Sequence, residues 1–74
     1  MTVNIRFIGP VAMRARKRGS IEIPDGMDLH HLKIELGLPA NYPVLFSING
    51  VLADSETVLH EGDQVQIINI VSGG

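Results

Sequence analysis

The sequence predicts an α+β roll, a mixed sheet of four to five strands covered on one face by one short helix. Three observations lead there. Apolar residues alternate with period two at the start, in the middle and towards the end of the chain. One stretch only, Leu29 to Leu36, has helical spacing instead. The chain has 74 residues, enough for one domain with one core. A sheet and a helix each have an apolar side, and in so short a chain they must cover each other.

Val3, Ile5 and Phe7 alternate with Asn4, Arg6 and Ile8, which reads as a first strand ended by Gly9-Pro10. Residues 10–19 form a connection carrying Arg14, Arg16, Lys17 and Arg18 and closed by Gly19. Ser20 to Ile23 is a second short strand, stopped by Pro24-Asp25-Gly26, and the two strands can pair as a hairpin with a long loop. Asp28 is a suitable N-cap, because its carboxylate can accept an unpaired N–H of the first helical turn. Leu29, Leu32 and Leu36 then share one face over about two turns. Gly37 suits the left-handed position past the helix, and Pro39 bars its continuation. So short a helix is marginal alone and needs a sheet to pack on.

Val44, Phe46 and Ile48 alternate again and lead into Asn49-Gly50, a pair that favours positive φ at both centres of a tight hairpin. Val51 to Ala53 is the returning strand. Residues 54–63 hold Asp54, Glu56, Glu61 and Asp63, with Leu59 as the inward anchor and Glu61-Gly62-Asp63 as a turn. Val65 to Val71 is the last strand. The helical connection is expected to join neighbouring strands by a right-handed crossover. The β-grasp arrangement meets these constraints. A small ferredoxin-like fold needs a second helix, and no segment after Gly37 has helical periodicity.

Composition excludes several functions. The formal net charge is −2, which gives no general reason to bind nucleic acid or an anionic membrane. There is no cysteine, so disulfides, thiolate metal sites and a cysteine nucleophile are excluded within this sequence. The first residues have no basic region ahead of an apolar stretch, so neither a signal peptide nor a membrane span is expected, and the cytoplasm is the expected location.

The expected domain covers residues 1–71, and residues 72–74 are expected to form a flexible tail of Ser72, Gly73 and Gly74. A glycine pair at an end is by itself a weak signal. Directly after an apolar strand it gains meaning, because side chains vanish for the last two positions. Without Cβ atoms, two glycines can enter a narrow channel on another protein in any backbone conformation. Three extended residues reach about 10 Å, enough to deliver a carboxylate into a partner's active site. That carboxylate is ionised at neutral pH and is a poor electrophile until its oxygen becomes a good leaving group. The chain has no phosphate-cradling G-x-x-x-x-G-K motif, so a separate ATP-using enzyme is implied.

Four marks together resemble the MoaD/ThiS family of ubiquitin-like sulfur carriers: Ile5-Arg6-Phe7, Phe46-Ser47-Ile48-Asn49-Gly50, Glu61-Gly62-Asp63-Gln64-Val65, and Val71-Ser72-Gly73-Gly74. The resemblance covers nearly the whole chain. It implies that Gly74 is adenylated by a ubiquitin-activating-type enzyme and converted to a thiocarboxylate, whose sulfur passes to a sulfur-accepting biosynthetic enzyme. It implies a protein co-substrate and not an enzyme, or the small subunit of a sulfur-transfer complex. No cofactor is bound by the chain itself; ATP and Mg are used by the activating partner. The long first connection and the acidic stretch before Glu61 look like the molybdopterin-type carriers, which often have a proline pair where Asn69-Ile70 stands here. Thiamine-type and other sulfur pathways stay open. So do a ubiquitin-like modifier conjugated through Gly74 and a plain interaction module.

Other features have two readings each. Arg14, Arg16, Lys17 and Arg18 are a solvated loop or a docking patch for an acidic partner. The last strand is apolar on both parities, with Val65, Ile67 and Val71 on one and Ile68 and Ile70 on the other. One helix cannot cover both faces, so Ile68 and Ile70, joined by Ile8, are either shielded by neighbouring strands or form an apolar patch for a partner. His30, His31 and His60 lack metal-ligand spacing and read as surface residues, and no metal site is expected.

Overall fold

The computed structural model describes residues 1–69, whose elements follow the order expected from the sequence. Strand β1 is Thr2–Ile8, β2 is Gly19–Glu22, helix α1 is Leu29–Glu35, β3 is Val44–Ile48, β4 is Val51–Ala53 and β5 is Gln64–Asn69. Within the first connection, Pro10–Met13 forms a 3-10 turn that local pattern did not announce; Val11 sends its side chain fully into the core. Proline fits there, since the first residues of a helical turn have no N–H partner to lose.

The five strands form one sheet in the order β2-β1-β5-β3-β4. β1 and β5 run parallel at its centre, and the other neighbours are antiparallel. The expected hairpin of β1 and β2 is present, with Val3 opposite Ile21. The expectation that the helical connection joins neighbouring strands is corrected: β1 and β5 lie between β2 and β3. The reason lies in β5. Its inward residues Val65 and Ile67 are both fully buried, and a central strand pairs its backbone on both sides. The connection through α1 therefore spans three strand spacings, about 14 Å.

The helix begins as its sequence dictates. The Asp28 carboxylate accepts the His31 N–H at 2.9 Å. The Leu29 and His30 N–H groups find the carbonyls of Thr57 and Ser55 at 3.1 and 2.9 Å, so segment 55–57 satisfies donors that a helix leaves open at this end. Leu29, Leu32 and Leu36 have no exposed surface. They meet Val3, Ile5, Phe46, Val65 and Ile67 from the sheet, with Leu59 as the expected anchor. Gly37 has φ 87°, the left-handed conformation its position required.

The β3–β4 hairpin turns on Asn49 and Gly50 at φ 53° and 85°, with Ile48 opposite Val51. The acidic stretch that follows is occupied with turns. Asp54 accepts the Glu56 N–H at 3.0 Å and the Thr57 hydroxyl at 3.2 Å. Asp63 accepts the His60 N–H at 2.8 Å and the Asn49 side-chain amide at 3.0 Å, while Asn49 in turn accepts the Gln64 N–H. This small network ties the hairpin to the start of β5.

Candidate functional site

Ile70, Ser72, Gly73 and Gly74, the candidates at the C-terminus, lie outside the described residues, as does the division of the chain at residue 71. Three regions of the described residues bear on a site: the open face of the sheet, the basic connection, and the place where β5 stops.

Alternation puts one half of each strand's side chains on the face away from α1. The parallel register sets Ile8 beside Ile68, and the antiparallel register sets Ile68 opposite Leu45. Three apolar side chains thus line up across three strands, Ile8 40% and Leu45 45% exposed and Ile68 half-buried between them. The next row across the same face is Arg6, Gln66, Ser47 and Leu52, the last 70% exposed. There the Ser47 hydroxyl donates to Gln66 Oε1 at 3.2 Å. So the two described members of the Ile8, Ile68 and Ile70 group are brought together. Leu45 and Arg6 complete the surface and were missed by sequence reasoning. Their parity within β3 and β1 was visible, but which strand lay beside which was not.

The basic connection is engaged by its own domain. The Arg14 guanidinium sits 5.6 Å from the centre of the Tyr42 ring. The alkyl chain of Arg16 lies on Gly37, where a Cβ would come within 2.9 Å of it, and the Arg16 N–H donates to the Leu36 carbonyl at 3.0 Å. Lys17 pairs with Glu35 at 2.9 Å, and Arg18 donates to the Ala12 carbonyl at 2.6 Å. Of these, Arg16 and Lys17 lie against the end of α1, the helix terminus with negative partial charge. The Lys17–Glu35 pair is solvent-screened, so its contribution to stability is small, about 0–1 kcal/mol.

At the far end of β5 several segments converge on Asn69. Its side-chain amide donates to the Pro43 carbonyl at 3.1 Å, and its Oδ1 accepts a longer bond of 3.5 Å from the Tyr42 hydroxyl. Gly9, at φ 95°, comes so near that a Cβ there would stand 3.3 Å from that of Asn69. Loop 39–43, which supplies Tyr42 and Pro43, is itself held by Lys33. The Lys33 ammonium donates to the carbonyls of Ala40, at 2.9 Å, and of Tyr42. Lys33 is buried, and burial pushes its pKa below the ordinary lysine value.

The Asp28 carboxylate is structural too. The backbone N–H of His31, followed by the contact with its ring, holds Asp28 below the usual carboxylate range. The rings of His30 and His31 meet edge to face. Among the described residues, no three His, Asp or Glu side chains cluster as a metal site would require.

The ThiS family model matches residues 5–74. No curated protein matches the chain. Among solved structures, SAMP1 from Haloferax volcanii superposes with a TM-score of 0.73 at 16% identity, with all of both chains covered, a likeness of fold. A chain from the complex of subunits 1 and 2 of molybdopterin-converting factor from Helicobacter pylori 26695 superposes with a TM-score of 0.62 at 30% identity, again over all of both chains.

Proposed function

This chain belongs to the ThiS family, and from that membership we propose that it is a sulfur carrier, a protein co-substrate that works through the carboxylate of Gly74. The carrying observation is that the family match runs through the terminal Gly73-Gly74 and is set on a five-stranded β-grasp sheet with one helix. The absence of cysteine from the sequence agrees with sulfur carried on the main chain.

The chemistry takes two steps on a partner. A Gly74 carboxylate oxygen attacks the α-phosphorus of ATP, with Mg on the activating enzyme, and pyrophosphate leaves. The product is an acyl-adenylate, whose carbonyl is now electrophilic. A hydrosulfide-level donor then attacks that carbonyl; AMP leaves with the original oxygen, and the thiocarboxylate remains. Its sulfur is anionic and nucleophilic, so it can attack an electrophilic carbon of a precursor held by a sulfur-accepting enzyme. Activation by ATP implies a cytoplasmic site of action. The likeness to a molybdopterin-converting factor subunit favours a molybdopterin-type acceptor over a thiamine-type one.

The open face is the docking surface in this reading. Ile8, Ile68 and Leu45 supply an apolar centre and Arg6 a cation at its border, with Ile70 following in sequence. Arg14, Arg16, Lys17 and Arg18 lie off this row and add at most a peripheral charge.

Intact mass after incubation with the ubiquitin-activating-type enzyme of the same source, ATP, Mg and sulfide tests the reading. The expected result is a gain equal to the difference between sulfur and oxygen at the C-terminus, with release of pyrophosphate. A ladder of larger conjugates would replace the carrier with a protein modifier. An unchanged mass would leave only an interaction module.

A further inference from the structure

We infer that Asn69 is a positioning residue, the centre of a clasp that fixes the place and direction in which β5 ends, ahead of Gly74 in sequence. The inference rests on the carrier reading for its consequence, but its geometry stands on described residues alone.

A carboxylate that must reach a distant catalytic centre gains from being launched in a set direction. Each backbone angle left free at the root of the tail multiplies the wrong poses, and restricting them lowers the entropic part of the barrier. β5 ends where such a restriction is built. On one side β1 is followed by Gly9, whose missing side chain lets its backbone close on Asn69; an alanine there would crowd the Asn69 Cβ and adopt a φ of 95° that side chains rarely tolerate. On the other side Pro43 and Tyr42 take the two ends of the Asn69 amide. Asn69 is opposite Val44, so the bond to Pro43 extends the β3–β5 pairing past the first residue of β3.

The loop that offers these partners is not free to drift. Lys33 reaches from α1 to hold the carbonyls of Ala40 and Tyr42, and Arg14 lies over the Tyr42 ring. Helix and first connection therefore hold loop 39–43, and that loop holds the Asn69 carboxamide. Neither the sheet nor the core requires this. A valine or threonine at position 69 would continue the strand equally well. An amide with a donor at one end and an acceptor at the other is what the two partners require.

The test has two arms. In the first, the side-chain amide protons of Asn69 are followed by NMR in the isolated protein. Resolved signals with slowed solvent exchange are expected, with exchange accelerating in Tyr42→Phe. The averaged, fast-exchanging signals of a free amide would overturn the clasp whatever the protein's function. In the second, adenylate formation by the activating enzyme is compared for the wild type, Asn69→Ala and Tyr42→Phe. Asn69→Ala is expected to lower kcat about tenfold with KM unchanged, because the domain docks normally while the end of β5 is no longer held in one direction. Tyr42→Phe should show a smaller loss of the same kind. A residue needed only for folding would deplete the folded substrate, raising apparent KM with kcat intact, and that pattern or a wild-type kcat overturns the positioning role. A wild-type chain that is not adenylated at all overturns the carrier reading and the role with it, while the NMR arm still decides whether the clasp exists.

Discussion

Ile67 and Ile68 are neighbours on β5 with the same side chain, yet they serve opposite sides of the molecule. Ile67 is fully buried beneath α1, whereas Ile68 lies half-covered in a row with Ile8 and Leu45 on the open face. On the covered side, the inward residues of the central strands β1, β5 and β3 pack into one core with the helix and loops. On the open side, apolar surface remains that the domain does not use. One face is determined by the demands of folding, and the other is left to be determined by contact with something else.

Substitution should separate these two roles. The largest effect is expected from Ile67→Ala, which removes a buried side chain at the sheet's centre and should cost about 2–5 kcal/mol of unfolding free energy. In a domain of this size that is a large part of the whole, visible as a lower denaturant midpoint. Ile68→Ala should cost clearly less. Equal losses would erase the distinction between the faces.

Next is Lys33→Ala. It leaves the carbonyls of Ala40 and Tyr42 without their donor and should cost about 1–3 kcal/mol. The ammonium also gives the covered side a pH signature. Its folded pKa lies below its unfolded one, so between those two values the unfolded chain binds more protons. This group's contribution to stability therefore rises as pH climbs through the lowered pKa towards the ordinary lysine value. Denaturation midpoints across alkaline pH should show this rise in the wild type relative to Lys33→Ala.

Asp28 acts in the same sense at the acid end of the scale, because its pKa is lowered too. Its folded pKa is depressed, so its stabilising bond to the helix start is present above the ordinary carboxylate range and is lost as pH falls through the depressed value. Asp28→Asn, which keeps an acceptor, should flatten this acid dependence while changing neutral stability little. The smallest effect on stability is expected from Leu45→Ser on the open face, within about 0.5 kcal/mol. The same change should weaken docking to the activating enzyme, measured as a higher KM at unchanged kcat. A Leu45→Ser protein that docks normally would assign the open row no role in recognition.

Much of this was legible in the residues. Period-two runs located β1, β2 and β3, an apolar run located β5, Asp28 and Gly37 bounded the helix, and Asn49-Gly50 specified its turn and with it the returning strand β4. These are local signals, each read within a few positions. Strand order was not legible, because pairing of β1 with β5 joins segments from opposite ends of the sequence. The helical stripe Leu29, Leu32 and Leu36 gave no hint that Lys33 also turns inward; that depends on where loop 39–43 returns. Asn69 looked like a departure from a proline pair, and its use emerged only once Tyr42, Pro43 and Gly9 were placed around it. The chemistry assigned to Gly74 came from a resemblance and from family membership, since the glycines have no side chains from which to argue.

The parallel pairing of β1 with β5 has a consequence for biogenesis. Two hairpins, β1–β2 and β3–β4, are made early but share no partner until β5 inserts between them. A ribosome must therefore release almost the entire polypeptide before the sheet can close. A product truncated before β5 would lack the strand that joins the two hairpins, so an unfinished domain cannot close its sheet.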